Sequence, residues 1–246
     1  MNHEHKHSTI LAAAGLGALL FLPSLGFAQS LGSAASFAVL AGSTVTNTGA
    51  TSILGSVGVS PGTGITGLPV GQPTGGTVHD NDAVAAQAQA DLTTAYDFLA
   101  GMACGTDLTG QDLGGQTLAP GVYCFNTSAP LTGTLTLDGQ GNANAVFVFQ
   151  IGSTLTTATS AAVNLIGGAQ NTNVYWQVGS SATLGLGSAL GGNIVALASI
   201  SLTTGAVLNG RALARTGGVT MDTNTVGDPS TPTLGSTWGR IKSRYR

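Results

Sequence analysis

Apolar and polar positions follow one two-part phrase that returns along most of the chain. It reads "FAVLAGSTVTNTG" from Phe37 to Gly49 and "FVFQIGSTLTTAT" from Phe147 to Thr159. Further copies are "VYWQVGSSATLG" from Val174, "IVALASISLT" from Ile194 and "ALARTGGVTMD" from Ala212, with a weaker one, "VYCFNTSAPLTGTLT", from Val122. The last full copies begin about 18 to 28 residues apart, the period of a solenoid coil. The first half of each copy is apolar at nearly every position and reads as a strand covered on both faces. The second half alternates: Thr44-Val45-Thr46, Thr134-Leu135-Thr136, Thr154-Leu155-Thr156, Thr183-Leu184-Gly185, Ser201-Leu202-Thr203 and Thr220-Met221-Asp222. Strand side chains alternate sides, so the central apolar residue of each triplet points inward and its neighbours point out. Stacked coils line the outward ones into rows.

A different period governs residues 80–101. Val84, Ala88, Leu92, Ala95, Tyr96 and Leu99 share one face of a helix. Asp80 and Asp82 suit its N-terminus and Gly101 its C-terminus. At 1.5 Å per residue such a helix is about 30 Å long and spans roughly six coils at ~4.8 Å. It supplies the outer cover that the apolar strands require. Residues 102–130 are Gly-rich and without a long period, and read as a loop that caps one end of the stack, where open strand edges would otherwise invite aggregation. Ahead of the repeat, Lys6, the apolar run Ile10–Leu22 and the small residues Gly26 and Ala28 form a secretory signal peptide over 1–28. The remainder, 29–239, is expected to be a single exported domain, followed by a basic tail, 240–246. No second apolar run is long enough to span a membrane.

Composition narrows the partners. Between Gln29 and Gly210 there is no Lys or Arg, and after Glu4 no Glu. A surface so poor in charge argues against nucleic acid and anionic membranes. Cys104 and Cys124 in an exported chain are expected to form a disulfide, worth on the order of 3 kcal/mol by loop entropy. Metal and catalytic readings are weak, because His79 is the one histidine after the signal segment. The run His79-Asp80-Asn81-Asp82 is explained by helix capping, and Asp107, Asp112 and Asp138 sit among glycines in turns. The coil region offers neither paired carboxylates nor a base before Arg211, so no catalytic residue, metal or cofactor is assigned. Asn126-Thr127-Ser128 fits a glycosylation acceptor, a pattern short enough to arise by chance. Arg240, Lys242, Arg244 and Arg246 read as a solvated terminus.

The threonine rows remain. Strand propensity favours Thr, yet it does not explain why charge is excluded from the same outward positions, where soluble sheets carry Lys, Glu and Arg. Coils repeat at ~4.8 Å and alternate residues along a strand at ~6.7 Å. Such a grid offers a hydroxyl and a methyl at each node and suits ordered water.

The stretches "LGSAASFAVLAGSTVTNTG", "GSVGVSPG", "LAPGVY", "NVYWQVGSSATLG" and "LNGRALARTGGVTMD" together resemble the widespread microbial ice-binding (antifreeze) proteins, over residues 31 to 235. The resemblance implies a mainly β fold: an irregular, discontinuous, right-handed-type β-solenoid of triangular cross-section with one long α-helix along a flank. It also implies that the N-terminal segment joins the stack near the C-terminal coils, and that one face binds ice. Carried over position by position, the ice-binding candidates are Thr44, Thr46, Thr134, Thr136, Thr154, Thr156, Thr183, Ser201, Thr203 and Thr220. A second row, Thr48, Thr157, Thr159, Ser188, Thr204 and Thr223, reads as the adjoining face or corner. The expected partner is ice or its ordered water, met by a secreted monomer. An adhesin or matrix module using the same face against polysaccharide or protein is the alternative.

Overall fold

The computed structural model describes residues 31–228. The signal segment 1–28 and the basic tail 240–246 lie outside the described residues. The strands are parallel and fall into three ladders around one apolar core. The first runs from Val78–Asp80 through Ser56–Val59, Phe37–Ala41, the ends of Val207–Ala214 and Ala189–Ala196, then Val174–Val178, Phe147–Ile151 and Gly121–Phe125 to Thr106–Asp107. The second is a separate seven-stranded sheet ordered Ala129–Leu131, Leu155–Thr157, Ala182–Leu184, Ile200–Leu202, Val219–Asp222, Val45–Thr48 and Ile65–Thr66. The third stacks Thr117–Leu118, Thr134–Asp138, Ala162–Ile166, the starts of Ala189–Ala196 and Val207–Ala214, then Thr225–Val226 and Ser52–Ile53. The two eight-residue strands turn a corner midway, which is why the first and third ladders form one hydrogen-bonded sheet. Glycine is required at that corner. Gly192 has φ 113°, and a Cβ on Gly210 would stand 1.9 Å from the Gly192 carbonyl oxygen.

Order in space departs from order in sequence. The N-terminal coil docks on the C-terminal one, with Val39 opposite Ala212, Thr46 opposite Thr220 and Ser52 opposite Thr225. Residues 56–66 and 78–80 then continue the stack beyond it. The chain must next travel to the far end, where Thr106–Asp107 pairs with Gly121–Phe125. Helix α1, Ala83–Ala100, makes that return along the first ladder. A helix satisfies its own backbone groups, so it can cover ~27 Å of apolar sheet without pairing to it.

The interior is layered in register. Tyr123, Phe149 and Trp176 occupy equivalent positions on neighbouring strands, their ring centroids 5.4 and 4.1 Å apart. The Trp176 indole N–H donates to the Gly191 carbonyl at 2.9 Å. A second cluster lies between α1 and the outer side of the first ladder, where Leu40, Leu213 and Val195 align and meet Leu92, Ala95 and Leu99. The helix stripe differs from the sequence reading at its first turn. Val84 is exposed and Ala85 buried, because at 100° per residue Ala85 lies closer to the line through Ala88 and Leu92. Asp82 alone caps the helix, its carboxylate accepting from the Ala85 N–H at 2.8 Å, while Asp80 belongs to a strand.

The two ends of the helix are tied down by polar contacts. Gln150 donates its amide to the Leu99 and Met102 carbonyls at 2.7 and 2.8 Å, closing the C-terminus. Just beyond, the disulfide Cys104–Cys124 fastens the returning chain to the coil beginning at Gly121. Asp91 accepts from the Ser33 N–H at 2.7 Å and its hydroxyl at 2.6 Å, holding the start of the described chain against α1. The Arg211 guanidinium donates to the Ala35 carbonyl at 2.9 Å and to Asn193 at 2.7 Å, anchoring the same turn from the sheet side. At the far end Asp112 accepts from the Gly114 and Thr132 N–H groups, and Leu113 is fully buried as a plug.

Val195→Asp places a charge where the wild-type side chain has no exposure, beneath the helix. An unpaired carboxylate has no counter-charge or side-chain donor in that apolar layer, so circular dichroism should show no cooperative melt or a greatly lowered one. An unchanged melt would show that α1 does not bury Val195. The Ser33 donors, then the Gln87 amide, hold the Asp91 carboxyl below the usual carboxylate range. A depressed folded pKa contributes stability above the unfolded value, lost as pH falls through the folded one. Asp91→Ala is therefore expected to lower the melting temperature at neutral pH, with the gap to wild type closing as pH falls below the ordinary Asp range and through the lowered folded value.

Candidate functional site

Three outward rows cross the second ladder. The middle one is given directly by strand register: Pro130, Thr156, Thr183, Ser201, Thr220, Thr46 and Thr66 stand opposite one another in turn. Every position but Pro130 bears a hydroxyl, and all are exposed or half-buried. Two residues earlier, backbone bonds from Ala129 to Thr154, Leu155 to Ser181, Ala182 to Ser199, Ile200 to Gly218, Val219 to Thr44 and Val45 to Gly64 align a row Ser128, Thr154, Ser181, Ser199, Gly218, Thr44 and Gly64. Two residues later stand Thr132, Ala158, Gly185, Thr203, Asp222 and Thr48, the last two in direct register. At strand spacings the grid is ~29 Å along the stack and ~13 Å across.

Flatness comes from beneath. The inward positions Leu155, Ala182, Ile200, Val219 and Val45 are fully or almost fully buried in register, so each strand rests on a like neighbour. Hydroxyls also bridge coils: Thr154 donates to Ser128 at 2.9 Å and Thr220 to Ser201 at 3.1 Å. Among the described residues Asp222 is the one ionisable side chain on these three rows. The Thr204 hydroxyl first, then that of Thr223, holds its carboxyl below the ordinary range.

The sequence candidates divide among these rows and the neighbouring faces. Thr46, Thr156, Thr183, Ser201 and Thr220 share the middle row, Thr44 and Thr154 the earlier one, and Thr203 and Thr48 the later one. The triplets are thus offset: Thr183 stands beside Thr156, not beside Thr154, because Ala182 rather than Leu184 is the partner of Leu155. Thr134 and Thr136 do not join the grid. Ala129-Pro130-Leu131 takes that coil's place on the second ladder, Gly133 turns the corner at φ 82°, and both threonines stand on the third. Of the second set, Thr157 and Ser188 point inward. Thr157 is 4 % exposed, its oxygen accepting from the Gly185 N–H at 2.8 Å, and Ser188 is fully buried. Thr159, Thr204 and Thr223 lie on turns at the corner between the second and third ladders.

Thr66, Ser128, Ser181, Ser199 and Thr132 were missed by the sequence reading. Thr66 was concealed by a two-residue strand set among glycines, although Ile65 beside it shows the same inward alternation. The serines fall where the phrase turns from one ladder to the next, which reads as a hinge.

The other two sides are unlike this one. Helix α1 covers the first ladder. On the third, one outward row is Thr134, Ala162, Ala189, Val207, Thr225 and Ser52 and the next holds Thr117, Thr136, Asn164, Gly191 and Asn209, so hydroxyls stand at the ends only and the middle is aliphatic or amide. Among the described residues no cluster of His, Cys, Asp or Glu could hold a metal, and no helix is long and apolar enough to cross a membrane.

Comparison with known proteins agrees in sequence and in shape. A family model described as "Ice-binding-like" matches residues 39–227. An ice-binding protein of Nostoc sp. (strain HG1) is 52% identical over 224 residues, covering 91% of this chain and 82% of the relative. One from Leucosporidium sp. (strain AY30) is 34% identical, covering 90% of this chain and 91% of that protein. Among solved structures, the ice-binding protein of the Antarctic ascomycete Antarctomyces psychrotrophicus superposes with a TM-score of 0.77 at 43% identity, over 82% of this chain and 98% of that one. An ice-binding protein from an Antarctic biological consortium gives 0.76 at 49% identity, over 80% and 90%.

Proposed function

The chain belongs to the ice-binding-like family, and from that premise we propose that it is an exported ice-binding protein that adsorbs to ice through the second ladder and so limits ice growth and recrystallisation. The observation that carries the choice of face is the unbroken register of Thr156, Thr183, Ser201, Thr220, Thr46 and Thr66.

Adsorption follows from that geometry without covalent chemistry. Each threonine offers a methyl that fits against a water cage and a hydroxyl that donates and accepts within it. A bridging water is enthalpically nearly as good as a direct hydrogen bond, at a small immobilisation cost. One such contact is lost in thermal noise. The contacts of all three rows, fixed on one stack of coils, engage together, and release requires all to part at once. Lysine or glutamate in the rows would keep a tight hydration shell of its own and break the water order, which accounts for their absence. Residues 1–28 supply export, placing the protein where ice forms. The relatives are named for ice and give the adhesin alternative no support.

Thr156→Tyr raises a ring from the middle row of the second ladder, and Thr225→Tyr raises the same ring from the third. We expect the first to lose most thermal hysteresis and recrystallisation inhibition while keeping the wild-type melt, and the second to keep both. The opposite pattern, or two active variants, would show that another surface meets the crystal.

A further inference from the structure

Asp222 breaks the chemical rule of the grid, and its surroundings show how the exception is accommodated. It stands in the later outward row between Thr203 and Thr48. The Thr204 hydroxyl, from the preceding coil, donates to one carboxylate oxygen, and the Thr223 hydroxyl donates to the other at 3.0 Å. On the following coil the Thr48 hydroxyl reaches the Met221 carbonyl at 3.4 Å, next to the same carboxylate. Its backbone N–H is held by the Asn224 side chain. Thr223 adopts φ 54°, a left-handed conformation that a β-branched residue rarely takes, and in it the hydroxyl meets Asp222.

We propose that Asp222 is a positioning residue for ice adsorption: by accepting the protons of Thr204 and Thr223 it fixes the corner hydroxyls as outward acceptors and extends the ordered grid to the edge of the second ladder. The inference rests on that ladder being the adsorbing face. A hydroxyl has one proton and two lone pairs, and an ionised carboxylate can only accept. Donation to Asp222 therefore stops each hydroxyl from rotating and leaves its lone pairs for surface water. A free rotor must be ordered when ice docks, whereas these are ordered beforehand, the usual advantage of preorganisation. The same bonds give each carboxylate oxygen one protein donor in place of a water, so the charge holds a smaller competing hydration shell on the face.

The test compares wild type, Asp222→Asn, Thr204→Val, the double variant and Thr156→Tyr by thermal hysteresis close to 0 °C, with circular dichroism confirming that each is folded at that temperature. Asparagine keeps the shape but turns one acceptor into a donor, so one corner threonine is released. Hysteresis in Asp222→Asn is expected to fall about threefold, the scale of one lost net hydrogen bond. Thr204→Val should fall comparably, and the double variant no further than the stronger single one, since both break one arrangement. A purely structural role would move the melt and leave the hysteresis of the folded variants unchanged. The proposal is overturned if Asp222→Asn matches or exceeds wild type, or if the two losses simply add. Should Thr156→Tyr remain active, the face itself is wrong and the positioning role falls with it; loss in Thr156→Tyr beside full activity in Asp222→Asn rejects the positioning role alone.

Discussion

Parallel stacking in strict register is the constraint from which the rest of this structure descends. A coil that slipped by one residue against its neighbour would exchange every inward side chain for an outward one. Leu155, Ala182, Ile200, Val219 and Val45 would then face water, and the Thr row would be driven into the core. Burial of the inner rows therefore enforces the alignment of the outer ones. The surface inherits its regularity from the core and has no need of strong contacts between its own side chains. This explains how a face can be ordered while using residues that interact only weakly with each other.

The same constraint shapes the path of the chain. A parallel stack must be built from coils that all run one way, and it leaves two open ends. Here the C-terminal coil is covered by residues 37–53, which arrive first in sequence and last but a few in space. One segment thereby joins the two termini of the described chain, and α1 is the price of that arrangement, carrying the backbone back along the stack. Its apolar stripe then serves twice, since it closes the first ladder and leaves the second and third facing solvent. Arg211 and Asp91 hold the same N-terminal turn from opposite sides, one from the sheet and one from the helix.

Much of this was legible in the residues. Apolar runs followed by alternating triplets announced coils, a change from a period of two to one of 3.6 announced the helix, and the cysteines paired. Face assignment was less legible, for a physical reason. The second and third ladders impose the same alternation, so Thr134-Leu135-Thr136 looks identical to Thr154-Leu155-Thr156 although the two stand on different sides. What separates them is where the corner falls, and that was set by Gly133 and by a three-residue strand containing proline. Pairing offsets of two residues are invisible for a related reason: they preserve inside and outside, and only hydrogen-bond partners reveal that Leu155 meets Ala182. Thr157 and Ser188 show the limit of reading hydroxyls as surface, since either can be buried when a backbone N–H or close packing receives it.

Exclusion of charge from one face carries a cost that the fold must offset. A methyl-bearing plane of this extent, with Asp222 as its one ionisable side chain, is the kind of surface that brings proteins together in solution. Threonine moderates that tendency better than valine of similar shape would, because its hydroxyl binds liquid water as readily as ordered water, and its branched carbon still favours the strand. Serine would keep the hydroxyl but lose the methyl that fills a water cage, and it is more flexible at χ1. The rows follow this order. Threonine dominates the middle row, where Ser201 and Pro130 are the exceptions, while glycine, alanine and most of the serines are admitted to the rows beside the corners. The composition of the face is thus a compromise between two kinds of water: it must be polar enough to stay dissolved in the liquid and regular enough to be taken by the solid as its own continuation.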